Sequence, residues 1–491
     1  MRRPSGYFRF LLLALLAVAG CSRSSTDRTA ETAADAPAAA SDVFGSGSDA
    51  GATPAPPAEP ENPAVVLAQR AARLTQEAGE HERRRYFDQA VAARTELVQL
   101  FTAQVGAEAW QTRTAQRALE RTVRMKSLTP SQRAADEAAG AAEQTAYDAW
   151  RGGRSADALT SLAKAQGLAA DVWGPESLTV ASIIDQSARW QLALDRKDEA
   201  EPLFRRALDI RTKSLSPEHP DTIATMSGLG LLLQAVGRPQ EAAPLLREAA
   251  DRARAVWGES NLEYATHLNN LAMLLHKMGN SDEAIALLTS ATSIRRQILS
   301  DRHQVVGYSV LNLGSVYYAA GRFDEAEPQF REAIAILEPT LGPGHAHTRQ
   351  ARANLAITRM AQRDFREAES LVRADLDWLR KTSGENEAEY AEGLARLAIL
   401  YGNQGRFAEA LPVAEQAAAI HRTVSTDADP RVAQAQDLVV RLRGRIDGRN
   451  PANAVSRAPQ PPAGRQTADQ IPAASPVGNA ARTSFEQRQP R

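Results

Sequence analysis

The chain has 491 residues, enough for two or three ordinary domains, and its 58 basic and 59 acidic residues leave a formal net charge of −1. That balance argues against a nucleic-acid partner, since neutralising phosphates takes a basic stripe. Alanine and arginine abound while aromatics make up only 5%, a composition that favours helices over strands.

Residues 1–20 read as a signal peptide. Arg2, Arg3 and Arg9 precede the apolar run "FLLLALLAV", Phe10 to Val18, which is too short to cross ~30 Å of hydrocarbon comfortably. The run leads into "VAGC", Val18 to Cys21. Small residues before a cysteine resemble the lipobox of bacterial lipoproteins, and the resemblance implies lipidation of Cys21, which becomes the new N-terminus. Cys21 is the single cysteine of the chain, so neither a disulfide framework nor a cysteine-based zinc site is open to it. Several acyl chains, at ~0.8 kcal/mol per buried CH₂, anchor a protein stably where one is marginal. Ser22 rather than aspartate after the cysteine implies a place in the bacterial cell envelope, at the outer membrane facing the periplasm.

Residues 21–62 are rich in Ala, Ser, Pro and Asp, as in "GSGSDAGATPAPPAEPENP". They bury too little apolar surface to offset ordering entropy and read as a disordered tether. Residues 63–138 are expected to hold a degenerate repeat plus extra helices. "RRYFDQAV" followed by "QVGAEAW" has the internal spacing of the units downstream, with Ala90 to Val105 matching Ala158 to Trp173. Here, however, 68 residues separate Ala90 from Ala158 where later units are 42 apart. The excess predicts a helix near Thr112 to Met125 and a long one leading to Trp150.

Residues 139–432 hold seven copies of one unit. The alanines Ala158, Ala200, Ala242, Ala284, Ala326, Ala368 and Ala410 follow one another at intervals of 42 residues without insertion or deletion. A second turn keeps the same phase, from "WGPES" at Trp173 through "LSPEHPDT" at Leu215 to "STDADP" at Ser425. Within a unit the apolar spacing is helical: Leu313, Gly314 and Tyr317 precede a "GRFDEA" turn, and Ala326, Phe330 and Ala333 follow it. Gly237, Gly279, Gly321 and Gly405 are expected to end first helices at positive φ, with Ser281, Asp282 or Asp324 capping the second. Arg431 to Ile446 reads as a capping helix, with 433–447 outside the last repeat. Residues 448–491 read as a disordered, weakly basic tail.

One hairpin cannot bury both of its faces, so the units must stack. The pattern resembles the tetratricopeptide repeat, and the 42-residue period with "LSPEHP"-type second turns is similar to the kinesin-light-chain subtype. That resemblance implies an all-α fold, a right-handed superhelical solenoid of stacked antiparallel helix hairpins, whose first helices line a concave groove. In that subtype an asparagine just before the signature leucine commonly bonds the backbone of an extended peptide. The matching residues are Asn270, Asn312 and Asn354; Gln186, Gly228 and Arg396 depart from the pattern in neighbouring units. An asparagine both donates and accepts, so it pairs with a peptide group whatever side chain that carries. Tyr308, Ser315 and Tyr318 are expected on the same inner face, with His276 and Lys277 one hairpin earlier. The competing reading is that these asparagines only satisfy contacts between repeats.

Catalytic constellations are not legible. The eight histidines are dispersed, and the close pair His345 and His347 has no cysteine or acidic cluster beside it to complete a metal site. His219, His303 and His345 share one place in their units, which points to a structural role in the turn. Neither a P-loop, "GxSxG" nor "HExxH" occurs, and "GLGLLLQAVG" at Gly228 follows a helix start instead of a strand. The expectation is therefore a non-enzymatic scaffold that captures protein or peptide partners, with no cofactor, metal, nucleic acid or small-molecule substrate. The alternative is a structural or envelope-assembly component with large fixed interfaces.

Overall fold

The computed structural model describes residues 63–385, 387–424 and 429–447; the expected signal peptide with Cys21, the expected tether and the expected tail lie outside the described residues. Among the described residues there are eighteen helices and no strand. Two compact units divide the described residues, one of those up to 183 with 210–219, the other of 184–209 with those from 220 onward.

The first unit opens with α1 (Pro63–Arg83) and α2 (Phe87–Val105), a hairpin closed over Ala71, Leu74, Leu97 and Phe101. Next comes α3 (Trp110–Ser127), which adds Ala115 to that cluster. Thr129 then starts α4 (Pro130–Arg151) through a capping box with Gln132, with Pro130 in the first turn. α4 pairs with α5 (Ser155–Trp173). α6 (Leu178–Ala193) and α7 (Lys197–Ser214) are divided between the two units.

The second unit continues with hairpins α8 (Pro220–Ala235) and α9 (Pro239–Trp257), then α10 (Leu262–Lys277) and α11 (Ser281–Leu299). After them come α12 (Gln304–Ala319) with α13 (Phe323–Leu341), and α14 (Ala346–Ala361) with α15 (Phe365–Thr382). α16 (Ala388–Asn403) pairs with α17 (Phe407–Val424), and α18 (Pro430–Ile446) lays Ala435, Leu438, Val439 and Leu442 on that last hairpin. From α8 to α18 each helix packs on the next, and the first helices α8, α10, α12 and α14 also touch in succession. This is a solenoid of helical hairpins, stabilised by nearest-neighbour interfaces instead of one central core.

Helix pairs approach closely where the sequence is small. A Cβ built on Gly314 would lie 2.8 Å from Cε1 of Phe330, a side chain fully buried on α13. Glycine is thus required there by its neighbour, whereas the equivalent first-helix residues Ala272 and Ala356 face smaller side chains, at the registers of Leu288 and Val372. The first turns close in one manner: Arg322 N–H donates to Tyr317 O and Gly321 N–H to Tyr318 O, both at 2.9 Å, with Gly321 at φ 74°. Arg363 holds the same place at φ 64°, a non-glycine residue carried in the left-handed region.

The structure corrects the capping expectation. The residues before α11 and α13 are Asn280 and Arg322, at φ −87°, ψ 61° and φ −89°, ψ 65°, and neither makes a side-chain cap. The backbone does not forbid a cap, since Asp364 at φ −83°, ψ 72° accepts from Glu367 N–H at 3.1 Å at the same place before α15; arginine at position 322 has no acceptor to offer. Ser281, Asp282 and Asp324 lie inside the first turns instead, where Asp282 and Asp324 favour the helix dipole. The second turns do carry side-chain caps. There His303 and His345 accept from Val305 N–H at 3.2 Å and His347 N–H at 3.3 Å through Nδ1, so two of the turn histidines are N-caps.

Ion pairs join second helices of neighbouring repeats, two of them at one register and a third from Arg238, the residue before α9. Arg247 meets Glu283 at 3.0 Å, Arg331 meets Glu367 at 2.7 Å, and Arg238 meets Glu201 at 2.8 Å. The hydrogen bonds from Arg205 and then Arg238 hold the Glu201 carboxyl below its ordinary pKa. Being half exposed, such pairs contribute ~0–1 kcal/mol each.

Candidate partner-binding face

The three ladder asparagines sit on consecutive first helices of the second unit, and each amide is already engaged. Asn270 Nδ2 donates to Ser227 Oγ on α8 at 3.4 Å, and Asn312 Nδ2 donates to Asn269 Oδ1 on α10 at 3.0 Å. Asn354 Nδ2 donates to Ser315 Oγ on α12 at 3.3 Å. The result is a row of three separate polar bonds, joining α8 to α10, α10 to α12 and α12 to α14. One N–H of each amide is spent in these bonds, while the second N–H and the carboxamide oxygen take no part in them. Asn312 is half-buried; Asn270 and Asn354 each retain 9% exposure.

The other expected residues divide into two groups. Tyr308 lies one turn before Asn312 and packs on His347 of α14, ring centroids 4.5 Å apart. Ser315 is buried, donating to Leu311 O at 2.9 Å besides accepting from Asn354; its hydroxyl is used inside the array. His276, Lys277 and Tyr318 lie farther along, at the C-terminal ends of α10 and α12. Burial pushes the His276 imidazole below its ordinary pKa and raises the Tyr318 phenol. Tyr318 packs on Phe323 at 5.3 Å, and Lys277 is exposed. None of these three is drawn into the asparagine row.

Sequence reasoning missed the partners of the row and the charge beneath it. Asn269 falls where the next repeat has Leu311, so the doubled "NN" was the available signal. Arg295 of α11 was the other. Its side chain is 6% exposed, Nη1 donates to Ser309 Oγ at 2.5 Å, Nη2 donates to Thr266 Oγ1 at 3.1 Å, and Nε is buried without a partner. Burial pulls its pKa down to about 10, with Glu263 opposing. Among the described residues no carboxylate forms an ion pair with it. The same register carries Ala253, Leu337 and Leu379, all fully buried, but also His421 and Arg211, the latter likewise 6% exposed and donating to Ser182 Oγ at 3.3 Å.

Glu263 of α10, one turn before Thr266, is a charge close to Arg295. At the registers of Tyr308, Leu311, Asn312 and Ser315, no residue of α8, α10, α12 or α14 is charged. Beyond these helices the face is closed by ion pairs: Asp185 with Arg189 on α6 at 2.8 Å, and Arg396 of α16 with Asp375 at 3.2 Å. A third polar group, His267 of α10, is 6% exposed, stacked on Trp257 at 6.4 Å with Nδ1 unpartnered. Burial first, then Arg189, lowers its pKa to about 4.

Two sequence families, both described as tetratricopeptide repeat, match this region. One matches residues 188–255, 221–297, 263–338 and 307–374, the other residues 391–430. These segments are tetratricopeptide repeats. The matched families are repeats and not enzymes, and proteins built from tetratricopeptide repeats generally serve as scaffolds for protein–protein interaction. No curated protein matches the chain. Among solved structures it is similar to the nearly identical TPR-like repeats attributed to a kinesin light chain of Podosopora anserina, at 25% identity and a TM-score of 0.38, covering 41% of this chain and 94% of that one. BtubC (BKLC) from P. vanneervenii is 19% identical at a TM-score of 0.37, covering 56% and 92%. A Rap protein complexed with competence and sporulation factor is 14% identical at 0.40, covering 78% and 99%.

Proposed function

We propose that the chain is a lipid-anchored scaffold of the 42-residue kinesin-light-chain-like kind, capturing an extended partner segment along α8, α10, α12 and α14. The polar row through Asn270, Asn312 and Asn354 carries this reading. Its unspent amide groups pair with peptide N–H and C=O irrespective of sequence. With neighbouring helices ~8–10 Å apart, three intervals span ~30 Å, or about nine residues of extended chain. The uncharged registers disfavour a run of charges, which would be desolvated without partners. Arg295 supports one carboxylate near Thr266 and Ser309, because its unused donors make charge-assisted bonds. In this reading Cys21 carries the lipid and places the array in the cell envelope, at the outer membrane facing the periplasm.

A second reading, an envelope-assembly component with large fixed interfaces, is favoured by one observation: every ladder amide already bonds a neighbouring helix. A photo-crosslinking side chain at position 308 in the full-length protein separates the two. Capture predicts crosslinks confined to one short, extended segment of a partner with at most one acidic residue. Crosslinks scattered over a folded partner's surface would instead support the fixed interface. Palmitate labelling that persisted in Cys21→Ala would sink the lipid anchor.

A further inference from the structure

α3 lies outside the regular repeat, yet it touches the ends of two second helices that are themselves one repeat apart. Arg124 donates from Nη2 to Val172 O at 2.8 Å and from Nη1 to Trp173 O at 3.2 Å. These are the last two carbonyls of α5. Arg117 donates from Nε to the carbonyl of Ser214, the last residue of α7, at 3.2 Å. Thr114 Oγ1 lies 2.8 Å from His219 Nε2, and the Trp110 ring meets His219 edge-on at 5.9 Å. The Trp173 ring lies under Arg121 and Arg124, at 4.8 and 5.3 Å, and its Nε1 donates to Asp136 at 2.6 Å. All of these residues belong to the first unit.

Physical chemistry accounts for the arrangement. A helix C-terminus leaves its last carbonyls unpaired and carries partial negative charge, so an arginine there is favoured twice. Arg117 and Arg124 are seven residues apart, on one face of α3 and ~10 Å along its axis. That spacing matches the ~8–10 Å between packed helices. Stacked repeats contact only their neighbours, whereas the contacts of Arg117 and Thr114 bridge 97 and 105 residues of sequence. α3 is itself held from the other side, by Thr112 Oγ1 donating to Gly106 O at 2.7 Å and by the buried Ala115.

We propose that α3 is an edge brace: a helix that pins the C-terminal ends of α5 and α7 together and so rigidifies turns that plain stacking leaves to their own hydrogen bonds. The test is hydrogen exchange on the full-length chain carrying Arg117→Ala and Arg124→Ala. The brace predicts that the turn amides of Gly174, Ser177, Leu215 and His219 exchange about tenfold faster, while α3 and α10 to α14 keep their protection. Unchanged rates at those four amides would overturn it, as would an acceleration spread evenly over all helices. A milder pair, Arg117→Lys with Arg124→Lys, keeps the charge but loses the fork that reaches two carbonyls. It is expected to restore Leu215 and His219 but not Gly174; full restoration at Gly174 would contradict the two-carbonyl contact.

Discussion

Asn312 on α12 donates to the carboxamide oxygen of Asn269 on α10 at 3.0 Å. One residue of the expected peptide ladder is thereby also a strut between repeats. The two roles are compatible, because an asparagine side chain carries two donors and two acceptor sites and this bond consumes a single donor of Asn312. The same economy holds for Asn270 on Ser227 and Asn354 on Ser315. The row is pre-positioned by its own bonds, which lowers the ordering cost of binding.

Arg295 offers a test that separates binding from folding. A buried cation with hydroxyl partners alone is expensive, and apolar replacements of such groups are often neutral or stabilising. Arg295→Met should therefore leave stability unchanged or raise it by ~1 kcal/mol in denaturant titrations. In the same protein, affinity for a captured segment that carries a carboxylate should fall more than about tenfold, while a segment with that acid neutralised should lose little. A large loss of stability would mean that Arg295 is a structural residue.

His267 makes stability depend on pH. Its folded pKa, about 4, lies below the ordinary 6.5, so the unfolded chain binds the extra proton first. Its contribution is complete above pH 6.5 and is lost as pH falls from there toward 4. The loss reaches ~3 kcal/mol at the lower end. Unfolding midpoints of wild type and His267→Gln should converge between pH 6.5 and 4, and a constant difference between them would refute the assignment.

Close packing at Gly314 is testable by one methyl group. A Cβ there would lie 2.8 Å from Phe330 Cε1 and 3.0 Å from Gln329 Cβ. Gly314→Ala should cost ~1–3 kcal/mol by overpacking. Adding Phe330→Leu, which imitates the Ala272 and Leu288 registers, should recover part of that loss, seen as coupling in a double-mutant cycle.

The hairpin architecture could be read from the sequence because each unit repeats its own instructions. The 42-residue phase, the small residue after the signature leucine and the glycine of the first turn each have one structural consequence, and Gly314, Phe330 and Gly321 display all three. Caps were not legible. Asp282 and Asp324 have the right chemistry for an N-cap, but the helices start at Ser281 and Phe323, which puts them two positions past the cap. The face was legible only in part. Asn270, Asn312 and Asn354 stand out by register, whereas of their partners Ser227 and Asn269 share one register and Ser315 lies in another. Arg295 comes from a second helix, and only its burial between α10 and α12 reveals it.

The central claim is that the asparagine row holds a partner's backbone. Its most direct test is the dissociation constant of the crosslinked partner segment for the full-length protein, compared with the Asn270→Ala, Asn312→Ala, Asn354→Ala variant. Three lost backbone contacts at ~1 kcal/mol each should weaken binding about a hundredfold, with helical circular dichroism and cooperative unfolding retained. An unchanged dissociation constant in a folded variant would show that the row only joins the repeats to one another.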